Sequence, residues 1–191
     1  MKTKIIKQKN LNSKSKGFTL IELLVVIVIL GILAAIGLRS FRSTQIKSRD
    51  ARRKEDLSSV ARALEAYYND QGQYPEGGAV TGQILGCAGV GETPVACDWG
   101  GTFQDYLGTF YMAQLPEDPS SYSYFYVSSG SDYKFYARLE NTQDQSIARD
   151  EEGDPAGYTD ISCGALLCNY GITSSNSSLP TIVTPDEVEE E

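Results

Sequence analysis

The chain contains no histidine, so both the commonest general base and the commonest metal ligand are missing. Acidic residues are absent before Gly17, and basic ones nearly vanish from the rear: after Arg62 only Lys134, Arg138 and Arg149 remain. That scarcity argues against nucleic-acid binding by the bulk of the chain, because phosphate contacts need clustered cations. No nucleophile-base pairing and no phosphate-binding loop stands out, so the enzyme class has little support. No internal repeat is found either. The 191 residues suffice for one domain with its own core.

What is present is a steep charge gradient. The chain carries 17 Lys+Arg against 25 Asp+Glu, a net charge of -8. Lys2, Lys4, Lys7, Lys9, Lys14 and Lys16 precede Gly17, and eight more basic residues lie from Arg39 to Arg62. Between these two groups runs FTLIELLVVIVILGILAAIGL, Phe18 to Leu38. As a helix it would rise roughly 30 Å, the thickness of a bilayer's hydrocarbon core. A buried helix of a soluble domain rarely shows so long an apolar run. A secretory signal would be shorter and end at a small-x-small cut, whereas this run exits through Ile36-Gly37-Leu38-Arg39. The lysines place its front in the cytoplasm, and Arg39 and Arg42 reach the outer headgroups. A plain signal anchor leaves Glu22 unexplained. A carboxylate one turn inside an apolar run either snorkels to the interface or is paired and functional.

The neighbours of Glu22 bear on that choice. Lys16-Gly17-Phe18-Thr19-Leu20-Ile21-Glu22, with its short basic leader and long apolar helix, resembles the processing motif of type IV pilins and type II secretion pseudopilins. The resemblance implies that a prepilin peptidase cuts between Gly17 and Phe18 and that Phe18 is then N-methylated. It also implies that Glu22 pairs with the Phe18 amine of a neighbouring subunit during assembly. Physically, Gly17 lets the backbone lie extended in a protease cleft. The new amine sits at a helix N-terminus, where the macrodipole disfavours positive charge and a nearby carboxylate offsets it. The family often carries a proline after the apolar half. Here Gly37-Leu38-Arg39-Ser40 stands in that place.

From Arg39 to Asn69 there is no proline or glycine, so the helix should continue to about residue 70. Leu57, Val60, Ala61, Leu64, Tyr67 and Tyr68 form one stripe expected to pack on a sheet. The polar stretch Arg42 to Asp56 reads as solvated or in contact with other subunits. Gly77 to Gly101 reads as a loop, and Thr102 to Ala113 as room for a short helix. Leu115-Pro116-Glu117-Asp118-Pro119 reads as a turn cluster. The runs Tyr122 to Val127 and Tyr133 to Leu139, split by Ser128-Ser129-Gly130-Ser131-Asp132, read as a hairpin. Its second run puts Tyr133, Phe135, Ala137 and Leu139 on one face, Lys134 and Arg138 on the other. The LPxDP cluster and hairpin also resemble a pilin-like head, less specifically than the front motif.

The expected fold is thus α+β: a long N-terminal helix, membrane-embedded in its first half, packed on a small antiparallel sheet. In order, residues 1–17 read as a leader removed by prepilin peptidase and 18–38 as the transmembrane and assembly half of the helix. Residues 39–70 read as its continuation, 71–173 as a soluble head, and 174–191 as a mobile acidic tail. In an exported head the four cysteines should be disulfides. Four allow three connectivities, and the local pairs Cys87–Cys97 and Cys163–Cys168 are favoured. A metal or redox pair is the alternative, but the spacing is not C-x-x-C and no histidine is present. No cofactor is expected. Calcium is the one candidate, at Asp150, Glu152, Asp154 and Asp160, because some pseudopilins bind it in a head loop. Their spacing is not a recognised calcium loop, however, and charge runs are usually solvated surface. Asn176-Ser177-Ser178 has the form of a glycosylation acceptor, a triplet common by chance.

The expected function is a structural filament subunit rather than an enzyme. A pilus subunit is preferred because the head is fairly long and carries two cysteine pairs. A secretion pseudopilin is the alternative, and a monomeric membrane-anchored binding module a further one. Expected partners are copies of the chain through the 18–70 helix, the prepilin peptidase/methyltransferase and membrane lipid, with no nucleic acid at the head. The precursor would be a single-pass protein of the cytoplasmic membrane with its head outside, which then enters an extracellular pilus-like filament.

Overall fold

A computed structural model describes residues 17–78, 81–89, 93–180 and 182. The leader expected at 1–17 lies, apart from Gly17, outside the described residues, and so does most of the tail beyond Pro180. One helix, α1, runs Leu20–Gln71. The chain divides into two compact units at Arg42/Ser43, and each is described by itself.

In the first unit every described side chain from Phe18 to Ala35 is exposed. Leu20, Ile21, Leu23, Ile27, Leu30 and Leu33 keep more than half of their surface free. A helix that is apolar all round must bury itself in lipid or against other helices. Among the described residues no helix is long and apolar enough to cross a membrane. The side chains of residues 36–40 lie outside that description, so the span expected over 18–38 falls partly beyond it.

The second unit carries the core. Leu57, Val60, Leu64 and Tyr67 are buried at three- and four-residue spacing, each aliphatic side chain contributing about 2 kcal/mol. Ala63 completes the buried stripe, whereas Tyr68 stays 41% exposed and packs its ring, tilted, against Tyr74 at 4.6 Å between centroids. The helix ends where Gly72 takes a positive φ of 74° and donates its N–H to the Tyr68 carbonyl at 2.8 Å.

Among the described residues eight short strands form three antiparallel sheets. The first orders β1 (Glu76–Gly77), β2 (Ile84–Ala88) and β3 (Pro94–Ala96). The second pairs β4 (Phe103–Gln104) with β5 (Phe110–Met112). The third orders β6 (Phe125–Ser128), β7 (Tyr133–Ala137) and β8 (Tyr170–Thr173). The expected aromatic hairpin is β6–β7, with Tyr126 opposite Phe135 and Val127 opposite Lys134. Tyr133, Phe135 and Ala137 join the core under the helix. The opposite face is not simply polar. Tyr136 packs there with Phe125, Tyr158, Cys163 and Cys168, because the segment after Leu139 folds back over it before returning as β8.

Three expectations need correction. The described part of 77–101 is not simply a loop, since it carries β2, β3 and the end of β1. Their glycines partly mark close packing: a Cβ on Gly86 would stand 2.7 Å from the Pro75 Cβ. Residues 102–113 hold no helix. Asp105 instead ties a tight turn between β4 and β5, accepting the amides of Leu107 at 2.9 Å and Thr109 at 2.8 Å. The stretch 42–56 is not uniformly solvated, since Asp50 and Arg53 are buried.

Both local disulfides are present, Cys87–Cys97 and Cys163–Cys168, with no free cysteine. Non-reducing peptide mapping should recover these two pairs, and crossed peptides would contradict the fold. Replacing Cys87 and Cys97 by Ser removes a bridge spanning 10 residues and should cost about 2–3 kcal/mol, read as a lower urea midpoint.

Candidate functional site

Two constellations stand out, one in each unit. The first surrounds the start of α1. Gly17 and Phe18 lie just before the helix, and Phe18 is 87% exposed. Thr19 is the N-cap. Its backbone N–H donates to Glu22 Oε2 at 2.8 Å, and its hydroxyl donates to the same oxygen at 2.7 Å. The Glu22 N–H lies 3.3 Å from the Thr19 hydroxyl oxygen. This is a reciprocal capping box, Thr-x-x-Glu, which satisfies otherwise unpaired helix-end donors. Sequence reasoning missed it, although the Thr19-Leu20-Ile21-Glu22 spacing carries the signal.

The capping box changes what Glu22 can do. One carboxylate oxygen is engaged within its own chain, while Oε1 carries no hydrogen bond among the described residues. The group can therefore hold the helix end and still offer an oxygen to an incoming cation. Ile21, Val25 and Val26 lie beside it as exposed apolar surface. An amine arriving there would meet a low-dielectric surround, where ion pairing is strong.

The second constellation centres on Arg53, which is fully buried. Its Nε and Nη2 bind Asp118 at 2.7 and 3.0 Å. Nη1 donates to Asp50 at 2.7 Å and to Glu140 at 2.8 Å, and Nη2 also donates to Ser120 at 2.7 Å. All five guanidinium donors are thereby used. Arg49 binds Glu140 from the next turn. Asp50 further accepts the amides of Glu140 at 2.9 Å and Asn141 at 2.8 Å. The cluster ties α1 to the loops at 118–120 and 140–141.

Its electrostatics follow from the geometry. Burial opposes the charged form of Asp118, but Arg53 and Ser120 prevail and hold its carboxyl below the usual range. Arg49, against the opposing effect of burial and with Arg53 helping, lowers Glu140. Nearby, Lys54 Nζ donates to both Asp144 oxygens and to Ser146 Oγ, each at 2.8 Å. Burial again opposes, yet Lys54 and Ser146 bring Asp144 down to about 2. No chemistry is poised here: every group is paired, and the arrangement is a fastening.

The calcium candidates are not gathered. Asp150, Glu152, Asp154 and Asp160 lie on exposed or half-exposed turns, and the Asp150 carboxylate is engaged by the Asp154 N–H at 2.7 Å. Among the described residues no three acidic or cysteine groups converge on a point that would hold a metal. Asp150 spends its carboxylate closing the 150–154 turn, and Asp160 lies on a separate turn. Asn176 of the glycosylation triplet is exposed, but its amide donates to the Ser131 carbonyl at 3.0 Å.

Residues 12–38 match the family model described as the prokaryotic N-terminal methylation motif. The chain is 32% identical over 117 residues to the type II secretion system core protein G of Vibrio cholerae, covering 61% of this chain and 73% of that protein. With the same-named protein of Klebsiella pneumoniae it shares 29% identity over 148 residues, 78% of this chain and 93% of that one. With the type IV major pilin protein PilA of Myxococcus xanthus it shares 35% over 65 residues, 34% of this chain, and it spans 30% of that relative's length. No solved structure matches.

Proposed function

The chain belongs to the family of type IV pilins and type II secretion pseudopilins, and from that premise we propose that it is a structural subunit of a pilus-like filament. The observation that carries the reading is the front of α1. Gly17 and Phe18 lead into a capped helix whose described side chains from Phe18 to Ala35 are exposed. Copies assemble by packing the 18–70 helix against its neighbours, and Glu22 receives the Phe18 amine of the next subunit. The precursor waits in the membrane with its head outside. Open, head-to-tail contacts between copies then give a helical polymer.

A specific observation favours a second reading, a secretion pseudopilin. The similarity to the core G proteins covers 61–78% of the chain and so reaches into the head. The similarity to the pilin covers 34%. Deleting the gene separates the two. Loss of sheared surface filaments indicates a pilus, whereas loss of exported proteins with surface filaments intact indicates a pseudopilus.

Processing supplies the first test of the family role. The mature protein should begin at Phe18 and carry one added methyl group, read by N-terminal mass analysis. A terminus beyond Leu38 would overturn the assignment. Gly17→Val should leave the precursor uncut, because a branched side chain crowds the scissile backbone.

A further inference from the structure

Two apolar tips stand exposed on the head. The first is the β4–β5 turn, where Tyr106, Leu107 and Phe110 are 40%, 66% and 66% exposed. It is braced from below by the buried Asp105, which, besides the two turn amides, accepts from Tyr111 Oη at 2.9 Å and Gln71 Nε2 at 2.9 Å. Gln71 is the last residue of α1, so this tip stands at the C-terminal end of the helix.

The second tip is the loop closed by Cys163–Cys168, where Leu166 and Leu167 are 45% and 41% exposed. The neighbouring Asn169 exchanges hydrogen bonds with the Leu139 backbone at 2.7 and 3.1 Å, and Glu140 bonds Asp50. This tip therefore belongs to the Asp50 end of the same helical segment. From Asp50 to Gln71 the helix rises about 30 Å.

Single exposed leucines are ordinary. These patches differ in being contiguous, stapled in shape and set at opposite ends of one unit, so little ordering entropy would be lost on docking. Their rims also carry opposite charge. Arg138 lies at the disulfide loop, donating to the Leu167 carbonyl at 2.9 Å. The exposed Asp70 lies near the hairpin, where burial, joined by Asp105 and Asp70, pushes the Tyr111 hydroxyl up to about 12.

We propose that the two tips are the halves of one heterologous contact between copies of this chain: the β4–β5 tip of one head seats against the Cys163–Cys168 loop of the next, with Asp70 facing Arg138. The proposal rests on the filament reading and names the partner surface within it. Two unlike surfaces make a heterologous contact, which extends into an open polymer where the rotation between copies does not close. Each contact is small, and repetition along the polymer makes it effective.

The test uses the full-length chain in cells that process it. A photo-crosslinking benzoylphenylalanine at Phe110 should trap a second, differently tagged copy through the peptide containing Leu166 and Leu167. Leu107→Glu and Leu166→Glu should each lower filament yield roughly tenfold, with both disulfides still formed. Joining Asp70→Arg to Arg138→Asp should restore yield above either single change. Normal filaments from both glutamate variants, or a crosslink to another segment, would overturn this contact while leaving the filament reading intact. Absence of wild-type filaments would overturn both.

Discussion

Arg53→Met is expected to lower the stability of the head by about 3–5 kcal/mol, because removing the central cation of a buried ionic cluster leaves Asp50 and Asp118 charged without a cation and Glu140 with Arg49 alone. Asp50, Asp118 and Glu140 would lose the cation they share. The loop at 118–120 would lose its ion pair to α1, whereas 140–141 would keep Arg49 and the Asp50 contacts. Arg53→Lys should be intermediate, since an ammonium keeps the charge but cannot reproduce the fork on Asp118. Urea unfolding of the full-length protein in detergent reads this as the midpoint order wild type, Lys, Met. A Met variant as stable as wild type would show the cluster to be dispensable.

The same cluster sets an acid limit. Asp118, Glu140 and Asp144 all titrate below their ordinary values in the folded protein. A lowered folded value means that the unfolded chain takes up protons first, so stability falls as pH falls. The contribution is complete above the ordinary carboxylate range of about 4. It is lost on descending towards about 2, where Asp144 itself protonates. Unfolding curves at pH 7, 4 and 2.5 should show a large drop only across the last interval.

Glu22 carries the second large effect, and the capping box dictates how to test it. Glu22→Leu removes both the carboxylate half of the capping box and the charge. Losing that half weakens the helix end by itself, so that variant alone is ambiguous. Glu22→Gln resolves the two roles, because glutamine can still close a Thr-x-x-Gln box but carries no charge. If Glu22 receives the Phe18 amine of a neighbour, Gln should be inserted and cut at Gly17 normally yet incorporate poorly into filaments. The loss per contact would be several kcal/mol, as for other broken buried pairs. Wild-type filament yield from Gln combined with a defect in Leu would reduce Glu22 to a helix cap. Wild-type yield from both would leave it as an interfacial carboxylate that snorkels.

The front motif was readable from its letters because it is a run of consecutive residues, 12–38. The Thr19–Glu22 cap is as local, a four-residue pattern whose signal went unused. The core stripe at Leu57, Val60 and Leu64 and the β6–β7 hairpin were readable for the same reason, since periods of 3.6 and 2 express short-range geometry. Folding decided what depended on distant partners. Arg53 sits in a run of polar residues that looks solvated, and it is buried because Asp118 and Glu140, 65 and 87 positions away, arrive beside it. The glycines of 77–101 looked like loop until Pro75 and Phe103 were seen to crowd Gly86. Asp105 looked like one acid among many until four donors converged on it. A buried charge or a bare backbone is stable only when its partners come from elsewhere in the chain, and linear spacing does not say which partners those are.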